Sequence, residues 1–168
     1  MAASAATLWL PSADDTVALG AALAGSCRRD GQDARMLLLS GELGAGKTTL
    51  AAALLGALGV DEVVRSPTYA LVEAYPIPAG IAVHVDCYRL HDATELEALG
   101  LRDYYVPGAI WLVEWPERAA SALPPADLGV ALSMQEAGRR ARLDAYSAAG
   151  RDWLGRLLSL TSYVANKA

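Results

Sequence analysis

Apolar and polar positions along this chain follow two periods, and the changes between them outline its elements. Thr7–Leu10, TLWL, predicts a short first strand. Ser12 then precedes ADDTVALGAALAGSC with Asp15 three residues on, a variant capping box that opens a helix. Val17, Leu19, Leu23 and Cys27 supply much of its apolar face, and Arg28 to Ala34 reads as a polar turn around Gly31. Met36 to Leu39 is a short apolar run, which predicts a buried strand. Leu50-Ala-Ala-Ala-Leu-Leu strongly favours a helix, ending near Gly59. Residues 60–68 form a connector in which Pro67 forbids a regular helix. Tyr69–Ile77 and Ile81–Tyr88, joined by Pro78-Ala79-Gly80, predict an antiparallel hairpin. Residues 92–101 predict a short helix opened by Asp92 or Thr94 and stopped at Gly100. Ala109–Trp115 predicts another buried strand, which Pro116 ends, and Pro124-Pro125 punctuates the chain after it. Leu128, Val130, Leu132 and Met134, then Ala141, Leu143 and Ala145, alternate on either side of the turn Gln135–Gly138, a second hairpin. Arg151–Leu160 predicts a final amphipathic helix followed by a few fraying residues.

Between the strand at Met36 and the helix at Leu50 lies GELGAGKTT. Gly41 to Thr48 fits G-x-x-x-x-G-K-[ST], the phosphate-binding P-loop, with a strand before it and a helix after it. The spacing has a chemical reason. Gly41, Gly44 and Gly46 let the backbone curl, so the N–H groups of Gly41, Glu42, Leu43, Gly44, Ala45, Gly46, Lys47, Thr48 and Thr49 can point at phosphate oxygens. The helix N-terminus adds partial positive charge behind them. Lys47 is expected to reach the β- and γ-phosphates and the Thr48 hydroxyl to bind Mg²⁺. The expected fold is α/β, a P-loop NTPase-like three-layer sandwich whose sheet is mixed and partly antiparallel, in a single domain over residues 1–168.

Composition narrows the partners. Hydrophobic residues make up 54% of the chain, which excludes bulk disorder. No apolar run approaches the roughly 20 residues that span a bilayer, and MAASAATLWLPS does not read as a signal peptide. A cytoplasmic protein is expected, with Cys27 and Cys87 as free thiols. The net charge of −5 argues against holding RNA or DNA on the chain's own surface. Only Lys47 and Lys167 are lysines, against twelve arginines, and a lysine kept in the loop fits a point-charge phosphate role.

A nucleotide site needs carboxylates near its metal, and ligands of open α/β sheets gather at the carboxyl ends of strands. Two acids end predicted strands. Asp86 closes the run V-H-V-D, sharing a strand face with His84 and Tyr88 and opposing Val83, Val85 and Cys87. Glu114 closes AIWLVE as the second acid of a P-loop site would. Each could instead cap a helix or face solvent.

Taken together, GELGAGKTTL at 41–50, SPTYALVEAY at 66–75, HVDCYRL at 84–90, ELEALGLRDY at 95–104 and LVEWPER at 112–118 resemble the TsaE family, also called YjeE. That family is the small ATPase of bacterial tRNA threonylcarbamoyladenosine biosynthesis. The stretches occur in the family's order and span most of residues 35–118; Cys87 stands where a leucine is common. The resemblance implies Mg·ATP as ligand and weak ATP hydrolysis, stimulated by the TsaB–TsaD pair, with tRNA met only through that complex. It implies that Thr68 senses the γ-phosphate in a switch-like loop. Asp86 would help hold Mg²⁺, and Glu114 would orient or deprotonate the attacking water, though the two acids could exchange roles. Trp115 would lie beside the nucleotide or simply fill the core. Arg65 and Arg89 could neutralise phosphate or form surface salt bridges. His84 is expected to be a satisfied core or supporting histidine and His91 exposed, neither a metal ligand.

Two other functions compete, a small-molecule P-loop kinase and a nucleotide-binding switch that barely hydrolyses. A kinase would want an arginine-rich lid. Arg139-Arg140-Ala-Arg142 is the one candidate and reads better as a solvent face of the second hairpin. A GTPase would need [NT]-K-x-D and a transporter ATPase L-S-G-G-Q, and neither motif occurs.

Overall fold

The computed structural model describes residues 4–29 and 33–165, so the turn expected at Gly31 lies outside the described residues. Seven strands form one sheet: β1 (Ala5–Leu10), β2 (Arg35–Gly41), β3 (Val72–Ile77), β4 (Gly80–Asp86), β5 (Ile110–Glu114), β6 (Leu128–Gln135) and β7 (Gly138–Ala145). Their order across the sheet is β1-β7-β6-β2-β5-β4-β3. The four central strands, β6, β2, β5 and β4, run parallel; β3 adds antiparallel to β4 at one edge, and β7 and then β1 add antiparallel to β6 at the other. The sheet is therefore mixed, and its P-loop strand β2 is central.

Helices α1 (Ala13–Ser26), α2 (Lys47–Ala57) and α4 (Ala148–Ala165) cover one face. Leu23, Leu50, Leu54, Trp153 and Leu157 pack there onto Leu37, Leu39, Leu112 and Val130. The opposite face of β2, β5 and β4 presents Met36, Trp111, Val113, Val83 and Val85. It is covered by α3 (Ala93–Ala98) and the segments around it, through Leu90, Leu96, Leu101 and Ala119. Period-2 alternation explains this division: neighbouring residues of a doubly covered strand feed different layers. Among the described residues no helix is long and apolar enough to cross a membrane.

Local chemistry sets most boundaries. Ser12 accepts from the Asp15 N–H while Asp15 accepts from the Ser12 N–H, so the capping box is complete. Asp92, not Thr94, caps α3, with Glu95 returning the bond. α3 is shorter than expected: Gly100, at φ 65°, turns the chain into a 3₁₀ turn over Leu101–Tyr104.

Several expectations are corrected. Tyr69–Leu71 is a turn rather than strand, because the Leu71 N–H closes onto the Pro67 carbonyl at 2.6 Å with Leu71 at φ 65°. Tyr88 is not on a strand face, since β4 stops at Asp86, whose Oδ1 takes the Tyr88 N–H at 2.9 Å. Val17 and Met134 are exposed, not core. α4 begins three residues early, because the Ser147 hydroxyl oxygen accepts the Gly150 N–H at 2.9 Å and so provides a start signal outside the apolar period.

Asp127 is the tie between layers. Its Oδ2 accepts the Met36 N–H of β2 at 3.0 Å, and its Oδ1 accepts the Ser147 hydroxyl that caps α4. Removing that side chain strands a buried N–H, a loss of about 1–3 kcal/mol. Asp127→Ala should therefore lower the urea midpoint by an amount equivalent to about 2 kcal/mol with an unchanged m-value, read by circular dichroism.

Candidate functional site

β2 delivers the chain to the loop at Gly41, where backbone contact leaves no room for a side chain. Gly41 has φ 137°, and a Cβ there would lie 2.3 Å from the Leu132 carbonyl oxygen on β6. Gly44 and Gly46 also have positive φ, at 80° and 105°, and α2 starts immediately afterwards at Lys47. The curl needed to turn amides toward a phosphate is therefore present, with the N-terminus of an eleven-residue helix behind it.

The carboxyl ends of β2, β4 and β5 lie side by side. Asp86 is the register partner of Glu114 across β4 and β5, and Glu114 is the partner of Leu39 across β5 and β2. Both acids are buried, at 4% and 2% exposure, yet face a cleft of about 330 Å³. Its walls are the loop residues Leu43, Gly44, Gly46, Lys47, Thr48 and Thr49, then Ser66, Thr68, Asp86, Tyr88, Glu114, Trp115 and Arg139. A larger groove of about 520 Å³ crosses β1, β7 and β6, lined by Ala5, Ala6, Thr7, Ala131, Leu132, Ser133, Arg140 and Arg142. It lacks the loop and the acids.

Lys47, Asp86 and Glu114 each have definite partners at the cleft. Lys47 Nζ donates to the carbonyls of Gly41 at 2.6 Å and Glu42 at 2.8 Å and lies 4.0 Å from the Trp115 ring centroid. Burial pushes the Lys47 pKa below the ordinary lysine value, against the upward pull of Glu114, Glu117 and Asp86. The Thr48 hydroxyl is shared by both Glu114 oxygens at 3.0 Å. His84 Nε2 lies 2.8 Å from Glu114 Oε1. Asp86 Oδ2 accepts the Ser66 hydroxyl and, at 3.3 Å, that of Thr68, and the two hydroxyls are 2.7 Å apart. Trp115 takes a left-handed turn at φ 55° straight after β5, and its ring packs on Tyr88 with centroids 5.0 Å apart.

The site residues expected from the sequence thus share one cleft, apart from Gly41, Glu42 and Ala45, which lie in the loop behind it. Arg65 and Arg89 are exposed and outside its lining; Arg89 lies over the Tyr69 ring at 4.2 Å. His84 is fully buried and His91 exposed. The hairpin arginines need a correction: Arg140 and Arg142 face solvent, but Arg139 is half-buried and reaches the loop. A Cβ on Gly46 would meet Arg139 Nε at 3.2 Å, and that Nε is buried without a hydrogen-bond partner. Ser66 was also missed as an Asp86 partner, although the S-P-T stretch contains it. Arg139 had no local signal. It reaches the loop because β6 pairs with β2 and the hairpin turns at the loop's end of the sheet.

The oxygen donors Thr48, Asp86 and Glu114 suit a hard divalent cation. Among the described residues no group of three or more His, Cys, Asp or Glu side chains could hold a metal. Two carboxylates and a hydroxyl fit Mg²⁺, which usually takes few protein ligands and completes its shell with phosphate and water.

A central parallel strand feeding a glycine loop and helix, with acids on the neighbouring strand ends, defines a P-loop α/β protein. Comparison with known proteins is more specific. The family model for "Threonylcarbamoyl adenosine biosynthesis protein TsaE" matches residues 10–142, and the chain belongs to the TsaE family. Among curated relatives, the tRNA threonylcarbamoyladenosine biosynthesis protein TsaE of Haemophilus influenzae is 42% identical over 121 residues, covering 72% of this chain and 77% of that protein. The equivalently named protein of Mycobacterium tuberculosis is 38% identical over 136 residues, covering 75% and 77%. The crystal structure of Bacillus subtilis YdiB shares the fold, with TM-score 0.76 and 22% identity over 93% of this chain and 95% of that one.

Because the Leu132 carbonyl cannot yield to a methyl group at Gly41, Gly41→Ala should destabilise the protein by more than about 2 kcal/mol, visible as a lowered melting temperature.

Proposed function

We propose that this chain is a slow Mg²⁺-dependent ATPase serving tRNA threonylcarbamoyladenosine formation. The observation that carries the reading is the convergence of Lys47, Thr48, Asp86 and Glu114 on one cleft at the carboxyl ends of adjacent parallel strands. The relatives' names supply the biological setting, tRNA threonylcarbamoyladenosine biosynthesis.

In this reading the amides of residues 41–49 and Lys47 hold the triphosphate. Lys47 exchanges its carbonyl partners for β- and γ-phosphate oxygens. Thr48, Asp86 and Glu114 hold Mg²⁺, directly or through water, and the ion when bound neutralises phosphate charge. Glu114 orients a water for in-line attack on the γ-phosphorus and accepts its proton. The bond from the γ-phosphorus to the β–γ bridging oxygen breaks, giving ADP and inorganic phosphate. Rate comes from positioning and charge neutralisation, since the chain contributes no covalent step. Trp115 lies against the nucleotide, and Arg139 brings a guanidinium to the loop. Thr68 answers to the γ-phosphate. Its bond to Asp86, shared with Ser66, supports a link between the cleft and the segment at 60–71.

The family resemblance suggests the TsaB–TsaD pair as partners, in the cytoplasm, with tRNA engaged through them. A net charge of −5 supports contact with proteins over direct contact with tRNA.

The test is ATP hydrolysis by the purified protein, alone and with TsaB–TsaD. Turnover should rise with the partners. Lys47→Ala should weaken Mg·ATP binding by about 100-fold or more, and equal affinity would remove the phosphate role of the loop. Glu114→Ala should bind ATP and lose about 100-fold or more in kcat; normal turnover would dismiss its role as base.

A further inference from the structure

We propose that His84 is the positioning residue for Glu114, an inference that rests on the ATPase reading above. His84 is completely buried in β4, two residues before Asp86 and so on the same face. It sits one step deeper in the sheet than the two acids. Its Nε2 is 2.8 Å from Glu114 Oε1, within hydrogen-bond distance, and in this proposal Nε2 is the donor. Nδ1 is buried and has no partner among the described residues. The carboxylate opposite His84 across β3, Glu73, takes the Tyr75 hydroxyl instead.

Packing alone does not call for an imidazole here. The same sheet face is built from Ala82, Leu112, Leu37 and Leu39, and an aliphatic side chain would fill the layer without an unpaired ring nitrogen. What the imidazole adds is a single directed donor. With His84 on Oε1 and the Thr48 hydroxyl shared between both oxygens, the Glu114 carboxylate has two protein partners to hold it. Fixing Oε1 in this way would restrict the orientation of a carboxylate that lines the cleft, where a water or metal shell would meet it. This is the outer support that orients catalytic carboxylates and metal-binding groups elsewhere.

The experiment compares His84→Leu, His84→Gln and His84→Asn. The Gln amide nitrogen can stand near Nε2, whereas the Asn amide reaches only as far as Nδ1. His84→Leu should lower kcat by about 10- to 100-fold while leaving KM for Mg·ATP within about threefold. His84→Gln should recover most of the rate and His84→Asn should not. A wild-type kcat in His84→Leu, or equal rates in the Gln and Asn variants, overturns the proposal; if His84→Leu does not fold, the Gln–Asn comparison decides. A second readout does not need turnover. Long-range ¹H–¹⁵N spectra of the resting protein should show His84 as the Nε2–H tautomer, with a slowly exchanging ring proton that becomes fast in Glu114→Ala. An Nδ1–H tautomer, or exchange unaffected by Glu114→Ala, overturns the proposal. A wild type without ATPase activity and with the expected spectra would sink the ATPase reading and leave the His84–Glu114 contact standing.

Discussion

The cleft depends on one register. Across the parallel ladders, Leu39, Glu114 and Asp86 lie level on β2, β5 and β4, and β2 alone continues past that level into the glycine loop. A slip of one residue in β5 would turn Glu114 into the layer of Trp111 and Val113 and bring an apolar side chain to the cleft. The register is protected because β5 is buried on both faces, with Ile110 and Leu112 in one layer and Trp111 and Val113 in the other. Packing energy in two cores thus fixes where two carboxylates stand. The site is accurate because the strands beneath it have no freedom.

That accuracy creates an electrostatic problem, which the hydrogen bonds address. Buried carboxylates and a buried ammonium need partners, since an unpaired one would cost several kcal/mol. Glu114 takes His84 and Thr48, Asp86 takes Ser66 and Thr68, and Lys47 takes two loop carbonyls. Each pairing uses a group that a phosphate or a divalent cation would also engage. A phosphate or cation bound there would exchange hydrogen bonds rather than only add them, so its net gain would be smaller than its contacts suggest. The exchange at Asp86 is not purely local. Ser66 and Thr68 belong to the segment that ends in the Leu71 turn, and the Leu71 carbonyl accepts the Asp86 N–H. Asp86 is thus tied to that segment through both its side chain and its backbone.

Signals in the sequence were readable where the physics is local. The loop, the Ser12 and Asp92 caps and the alternation in β6 and β7 each rest on residues within one turn or one strand. Asp86 and Glu114 could be named as strand-end acids, because strand ends are local too. Their adjacency could not, since it requires β4 and β5 to pair. The same limit explains Arg139. Its neighbours in sequence are the exposed Arg140 and Arg142, and only the pairing of β6 with β2 carries it to the loop. Val17 and Met134 show the converse error. Both obey the apolar period, but both are exposed, one on α1 and the other near the end of β6. Period predicts a face, whereas burial needs something on top of it.

The loop's cation illustrates how little of this could be exchanged. Lys47 is one of only two lysines in the chain, against twelve arginines. An ammonium is compact enough to donate to the Gly41 and Glu42 carbonyls while resting on the Trp115 face. A guanidinium is planar and larger, and its fork would have to displace either the loop carbonyls or the indole. Arg139 already brings a guanidinium to the loop from the hairpin side, where half-burial suits a more weakly hydrated cation. The cleft thus carries its two cations in two forms. The point charge sits on the loop carbonyls, and the planar one reaches the loop beside Gly46.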